Sequence, residues 1–331
     1  MCQVLIVIPN WNGRHLLDAC LAALVTQTWH DYEIIVVDNG SKDGSVAWLR
    51  GRYPQIGVIA NECNLGFAAA VNQGVRVSDS RYVVTLNNDT EPDPDWLAAL
   101  VKVAKDDPTV GMCASKMLFA DRPGIINSAG ICIDRVGIAW DRRGGEADDD
   151  SEMLPIEVFG PCGGAALYRR TMLDKIGLFD EDFFAYLEDV DLAWRARRAG
   201  WRCQYVPAAR VFHRHSATGG EGSPFKNYHV GRNKIWLVTK NYPFARLWYC
   251  IPALILYDVA SVMYTLLARH DAHALRGRLA GSARLGCMWR KRGHTDRAIR
   301  TDLAYLSQLQ PFWRIPRRYV HLATSNSHQR T

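Results

Sequence analysis

The chain has 331 residues, 48% of them hydrophobic and 22% charged, which excludes disorder as the default state and allows one large α/β domain with an appendage, or two domains. Its net charge of +6 is uneven: from residue 269 onward 13 Arg or Lys face 3 Asp or Glu, so this tail carries +10 and the rest −4. Nine cysteines, an odd number with no CxxC pair, argue against a disulfide framework or a zinc knuckle and predict reduced thiols in a cytosolic compartment. The opening stretch MCQVLIVIPNWNG lacks a basic region and a cleavage site, so it reads as a buried strand and not a signal peptide.

In chain order, residues 4–8 are a continuous apolar run and 16–24 have helical spacing. Residues 33–37 are apolar again, followed by the turn-forming Asp38-Asn39-Gly40-Ser41. A helix over 46–50, a strand over 56–60, a helix rich in small residues over 67–77 and a strand over 82–86 come next, then a helix over 95–105 with Asp95 as its cap. Short apolar runs separated by helices predict parallel strands buried on both faces. Ligands of such sheets gather at the carboxyl ends of the strands, where the polar clusters after Ile8, Val37 and Leu86 lie. The middle is less regular: an acidic exposed loop at 146–150, a tight glycine-rich turn at 160–164, a helix over 187–200 stopped by Gly200, and short strands over 202–206 and 210–212. From about Lys226 the chain reads as helical. Residues 248–267 nearly reach the ~20 apolar residues of a bilayer span, but Asp258 and three tyrosines interrupt them, so a buried or interfacial helix is expected.

Several residues could carry chemistry. Asp38, at a strand end, can accept hydrogen bonds from a base or ribose edge, or simply cap a turn. Asp89, in Asn87-Asn88-Asp89, is a hard oxygen ligand placed where Mg²⁺ or Mn²⁺ could bridge two phosphates. The stretch from Asn64 through Gly66 and Phe67 to Asn72 offers a helix N-terminus and close backbone approach, or only helix–sheet packing. Glu188, Asp189 and Asp191 crowd a helix start. The helix dipole accounts for one or two of them, and a crowded carboxylate in a cleft can serve as general base. His213, with His215 competing, could complete a metal site with Asp89. Arg232 could face a diphosphate or lie on a solvated helix face.

The order of these segments resembles that of family 2 glycosyltransferases of the GT-A fold, particularly the bacterial rhamnosyltransferase-like branch. The matching stretches are VIPNWNG at 7–13, VVDNGSKDGS at 36–45, NLGFAAAVNQG at 64–74, LNNDTEPDPDWL at 86–97, GGAALYRR at 163–170, GLFDEDFFAYLEDVDLAWRARRAGW at 177–201, VFHRHSAT at 211–218 and RNK at 232–234. The resemblance covers roughly residues 3–240. It implies a GT-A type, Rossmann-like mixed α/β sheet flanked by helices over 1–240, and a helical, basic extension over 241–331. It also implies site roles. Pro9, Asn10, Asn12 and Asp38 would bind the nucleoside, and Asn64, Gly66, Phe67 and Asn72 would form the second wall of the donor pocket. Gly163 and Gly164 would shape the floor, with Asn88 and Arg232 also in the nucleotide-sugar site. Asp89 would be the last acid of a DXD-like metal motif whose first acid is Asn87 here, with His213 as a further ligand to Mg²⁺ or Mn²⁺. Asp189 would be the catalytic base, with Glu188 the near alternative.

The implied activity is inverting, single-addition transfer from a nucleoside-diphosphate sugar, dTDP-L-rhamnose first. UDP-galactofuranose, UDP-hexose or GDP-mannose are alternative donors, and a non-catalytic nucleotide-sugar binder is the reading from another class. The Gln-x-x-Arg-Trp motif and the multiple spans of processive members are absent from the sequence. The aromatic segment beside a +10 tail predicts peripheral contact with the inner face of the cell membrane, with a polyprenyl-linked or polysaccharide acceptor. A homodimer interface is the plainer reading of that segment. No nucleic-acid motif accompanies the basic tail, so nucleic acid is not an expected partner.

Overall fold

Val4, Leu5, Ile6, Val7 and Ile8 are all fully buried, because the strand they form is covered on both faces. Side chains alternate along it: Leu5 and Val7 enter one apolar layer, and Val4, Ile6 and Ile8 enter the other. The structure, a computed structural model, describes residues 2–214, 222–242, 244–298 and 309–311. The elements are β1 (Val4–Asn10), α1 (Arg14–Val25), β2 (Tyr32–Asp38), α2 (Ser45–Arg52), β3 (Gly57–Ala60), α3 (Gly66–Arg76), β4 (Tyr82–Leu86), β5 (Thr90–Pro92), α4 (Trp96–Asp106), β6 (Val110–Phe119), β7 (Arg122–Ser128), β8 (Ile131–Ile133), β9 (Ala139–Asp141), β10 (Ile156–Val158), β11 (Ala165–Arg169), α5 (Arg170–Ile176), a 3₁₀ turn (Glu181–Phe183), α6 (Glu188–Arg198), β12 (Arg202–His213), α7 (Pro224–Asn241), α8 (Phe244–Ala268), α9 (His273–Ala283) and α10 (Leu285–Ala298).

The main sheet runs β10-β12-β6-β11-β4-β1-β2-β3, with β5 on β12 and β7 on β6. The neighbours β4, β1, β2 and β3 are parallel as the sequence predicts, but the sheet does not end there. β11 enters antiparallel between β4 and β6, and β6 pairs in parallel with β12. Neither β6 nor β11 is legible in the sequence. All ten residues of β6 are buried, so it shows no alternation, and Gly111, Ser115 and Lys116 dilute its apolar run. β11 passes directly into α5 without a turn residue. The two short strands expected at 202–206 and 210–212 are one strand, β12, with a register shift between Val206 and Arg210.

Two local readings are corrected. Asp95 sits at the cap position of α4, but its carboxylate caps nothing and accepts instead from the Thr28 hydroxyl at 2.9 Å. The 146–150 loop is acidic and largely exposed, yet Asp148 turns inward to accept from buried Lys116 at 2.7 Å.

The helices after β12 form their own layer. α7 packs along α9 and α10, and it ends at Asn241. α8 is not a buried helix: among its described side chains Ile255, Leu256, Val259 and Leu267 are open, Leu256 being 72% exposed, while Cys250 and Leu254 pack against the core. Its polar face is tied down, because Asp258 accepts from Lys234 of α7 at 3.0 Å and Arg278 of α9 at 2.9 Å.

Candidate active site

Three neighbouring parallel strands end in polar side chains, and these link to one another. The Asn10 amide donates to the Asp38 carboxylate at 2.8 Å, and the Asn88 amide donates to Asn10 Oδ1 at 2.7 Å. The second Asp38 oxygen accepts from the Ser41 N–H at 2.9 Å. Asp38 is only 1% exposed, so it holds this row and its turn in place, and any nucleoside contact would share oxygens that are already engaged. Gly13 lies against the row so closely that a Cβ would stand 2.1 Å from Asn88 Nδ2, which explains the glycine at this turn. Pro9 is half-buried beside Asn10. Asn12 is exposed at positive φ and lines an open depression of about 500 Å³ with Arg14, His15, Asp43 and Trp48.

Next along the sheet, β5 pairs with the end of β12, His213 opposite Thr90. That register brings together residues 124 positions apart in the chain: His213 Nε2 lies 3.2 Å from Asp89 Oδ1. The other ring nitrogen of His213 faces Asn127 Oδ1 at 2.9 Å, fixing the ring as a second partner does for a metal-binding histidine. Asp89 Oδ1 is buried without a hydrogen-bond partner. An orphaned carboxylate oxygen beside an imidazole is a donor set that fits Mn²⁺ or Mg²⁺. Among the described residues no third His, Cys, Asp or Glu joins them, so a cation here would need oxygens from a bound diphosphate. His215 lies outside the described residues.

A glycine strap connects this corner to the carboxylate pair. The Asn87 N–H donates to the Gly164 carbonyl at 2.8 Å, and the Thr85 hydroxyl donates to the Gly163 carbonyl at 2.7 Å. The Gly163 N–H in turn donates to Asp189 Oδ2 at 2.8 Å. A Cβ at Gly163 would meet Asp189 at 3.3 Å and Phe67 at 3.5 Å, so Gly163, Phe67 and Asp189 share one spot. Asp189 remains partly exposed. Burial pushes its carboxyl up to about 6 against the Gly163 and Val190 N–H bonds, and the charge of Asp141 adds to the rise. Glu188 is more deeply buried and has an unpartnered oxygen. Burial first, and then the charge of Asp189, push it well above the carboxylate range. Two adjacent carboxyls therefore differ: Asp189 is ionised near neutral pH, and Glu188 holds its proton.

The remaining expected residues mostly brace this site. Asn64 Oδ1 accepts from the Gly66 N–H at 2.9 Å. Gly66, at φ +86°, makes room for Phe184, whose carbonyl oxygen would stand 2.5 Å from a Cβ there. The Asn72 amide is spent on Phe179 and Glu181, so it ties α3 to the 179–181 turn and presents no free group to a donor. The Arg232 guanidinium donates to the Asp182 and Phe183 carbonyls and lies 4.3 Å over the Trp236 ring; a diphosphate would have to displace these contacts.

Two residues matter that sequence reasoning does not single out, Asn127 behind His213 and Asn233. The Asn233 amide donates to the Phe183, Ala185 and Tyr186 carbonyls at 2.7–2.9 Å. It thereby holds a loop in which Phe184, Tyr186 and Leu187 all have positive φ, a cost of order 1–3 kcal/mol each. Nothing local marks Asn127, and the RNK stretch that contains Asn233 does not reveal its role, because both act through contacts about 50 or more residues away in sequence.

A model described as Glycosyl transferase family 2 matches residues 5–177, and the chain belongs to that family. The match covers β1 to α5 and ends before Glu188, Asp189 and His213. N-acetylglucosaminyl-diphospho-decaprenol L-rhamnosyltransferase of Mycobacterium tuberculosis is 30% identical over 231 residues, 63% of this chain and 74% of that protein. Chondroitin synthase of Escherichia coli is 26% identical over 235 residues, 63% of this chain and 34% of that protein. Among solved structures, GalNAc-T7 with UDP, GalNAc and Mn2+ aligns at TM-score 0.59 over 72% of this chain and 48% of its own. A mannosyltransferase from Pyrobaculum calidifontis, in complex with GDP-Man and Mn2+, aligns at TM-score 0.52 over 98% of this chain and 80% of its own. Both are 18% identical to this chain, and they share its GT-A fold. The chain is a glycosyltransferase.

Proposed function

We propose that the chain moves a sugar, L-rhamnose from dTDP-L-rhamnose in the first instance, onto a hydroxyl of a lipid-linked or cell-surface glycan, with inversion at the anomeric carbon. The observation that carries this reading is the glycine strap, which joins one ionised carboxylate, Asp189, to the corner holding Asn88 and Asp89. The relative from Mycobacterium tuberculosis supports rhamnose and a polyprenyl-linked acceptor by its name alone.

The chemistry is a direct displacement. Asp189 accepts the proton of the acceptor hydroxyl. The oxygen attacks the anomeric carbon, the bond from that carbon to the diphosphate oxygen breaks, and its electron pair leaves with the nucleoside diphosphate. The Gly163 N–H keeps the carboxylate aimed while Glu188, holding its proton, stays out of the transfer. A divalent cation, Mg²⁺ or Mn²⁺, held by Asp89 and His213, would supply positive charge to the departing diphosphate.

The purified chain incubated with dTDP-rhamnose, UDP-glucose, UDP-galactofuranose, UDP-GlcNAc and GDP-mannose tests this. Release of nucleoside diphosphate from one donor is expected, abolished by EDTA and by Asp89→Ala. Binding of none of these donors would sink the reading, and release that survives EDTA would remove the cation from it.

The same proposal sets the chain at the inner face of the membrane. Cys250–Ala268 is long and apolar enough to cross a bilayer, and only 6% of it is buried. The Asp258 ion pairs hold this helix along the protein body, which favours lying in the interface over spanning. Flotation with anionic but not neutral vesicles is the expected result. A concentration-dependent dimer with no flotation would assign the face to a second copy instead.

A further inference from the structure

Directly before the Glu188–Asp189 pair, two rings of the 184–187 loop meet three of α7, Phe225, Tyr228 and His229. Phe184 stacks on His229 with centroids 5.3 Å apart and planes 15° from parallel. Phe225 lies 4.4 Å from the same imidazole and 6.1 Å from Tyr186. Phe225 is 46% exposed and Phe184 and Tyr186 are half-buried, so the cluster, a shelf of rings, opens at Phe225, with Lys226 Nζ 5.8 Å from the Tyr186 ring. His229, 9% exposed, has a buried Nδ1 with no hydrogen-bond partner. Burial, and then the nearby Arg232 charge, press this imidazole down to about 4. It is therefore neutral at physiological pH, with one ring nitrogen able to accept a hydrogen bond.

A sugar ring has a C–H face and a hydroxyl edge. An exposed aromatic surface is complementary to the first, and the unmet nitrogen of His229 lies buried among the rings that form it. The backbone of the shelf is held against its preference, with Phe184 and Tyr186 at positive φ under the three-carbonyl clamp of Asn233. Its far side adjoins the α8–α9 turn, because the Asn227 amide donates to Asp271 at 2.6 Å.

We propose that the shelf of Tyr186, Phe225 and His229 is the saccharide subsite for the acceptor: Phe184, in the same cluster, packs on Gly66, and the next residue, Phe67, meets Asp189 at Gly163. The assignment of the bound sugar as acceptor rests on the transferase reading above; the shelf as a saccharide site does not.

The test uses the full chain with methyl glycosides of GlcNAc, glucose, galactose, mannose and rhamnose as probes, observed by saturation-transfer NMR, with sugar-nucleotide binding followed in parallel by thermal shift. At least one glycoside is expected to bind the wild type. Phe225→Ala should weaken that binding about tenfold, the scale of one lost stacking contact, and Phe225→Tyr should restore it. In turnover, the acceptor KM of Phe225→Ala should rise about tenfold more than its donor KM. Equal glycoside binding by wild type and Phe225→Ala, or binding of a sugar nucleotide with no glycoside bound, would overturn the shelf. Phe225-dependent glycoside binding without any sugar-nucleotide binding would instead sink the transferase mechanism and leave the saccharide site standing.

Discussion

Asp189→Asn is expected to lower kcat about a thousandfold, within the ~10²–10⁴ range for loss of a positioned general base. The amide oxygen can still accept from the Gly163 N–H, now at 2.8 Å from Asp189 Oδ2, so donor binding should survive while proton acceptance does not. Glu188→Gln should cost less than about tenfold, because burial and the Asp189 charge already keep Glu188 protonated. Wild-type kcat/KM should climb about tenfold per pH unit in acid and level off above about 6, where Asp189 loses its proton. Steady-state kinetics of both variants between pH 5 and 8 would check this. A larger loss in Glu188→Gln than in Asp189→Asn would move the base to Glu188.

Two positions further along, Asp191→Ala should cost about 3–5 kcal/mol of stability, the range for one partner removed from a buried ion network. Asp191 is 0% exposed. It accepts from Arg195 and Lys240, both at 2.9 Å, and from the Asn241 amide at 2.7 Å. Lys240 also reaches Asp180 at 2.7 Å. Alanine would leave two buried cations short of an anion at the joint between α6 and α7. Burial alone would raise this carboxyl, but Lys240, Arg195 and the Asn241 hydrogen bond outweigh it and hold it well below the carboxylate range. Its contribution is therefore complete above the ordinary carboxylate pKa and is lost as pH falls toward the depressed one. Denaturant unfolding at pH 7 should show a lower midpoint at unchanged slope, with a smaller difference from wild type in strong acid. An unfolding free energy within about 1 kcal/mol of wild type would refute the network's role.

These neighbouring acids show what the sequence could tell and what it could not. Three carboxylates within four residues stand out in the sequence, since the helix dipole needs only one or two. Their separate fates depend on residues far away: Gly163 for Asp189, Lys240 and Asn241 for Asp191, and a closed pocket for Glu188. The strand ends were legible because continuous apolar runs stop at polar turns, as at Asp38 and Asn88. β6 and β11 were not, since Gly111, Ser115 and Lys116 interrupt the apolar run of β6 and β11 passes straight into α5 without a turn residue. The pairing of Asp89 with His213 was anticipated from motif order, but the antiparallel β5–β12 register that produces it has no local signature. Asp38 and Asn72, expected to touch the donor, also brace turns at the strand ends and at 179–181. A single sequence does not separate a ligand-binding polar group from one that holds the binding loop.

The most direct test of direct displacement at Asp189 is the anomeric configuration of the first product, read by proton NMR during turnover of whichever donor the panel identifies. The account predicts a glycosidic bond of configuration opposite to the sugar–diphosphate bond of the donor. A product that retains the donor's configuration would contradict a single displacement assisted by one base.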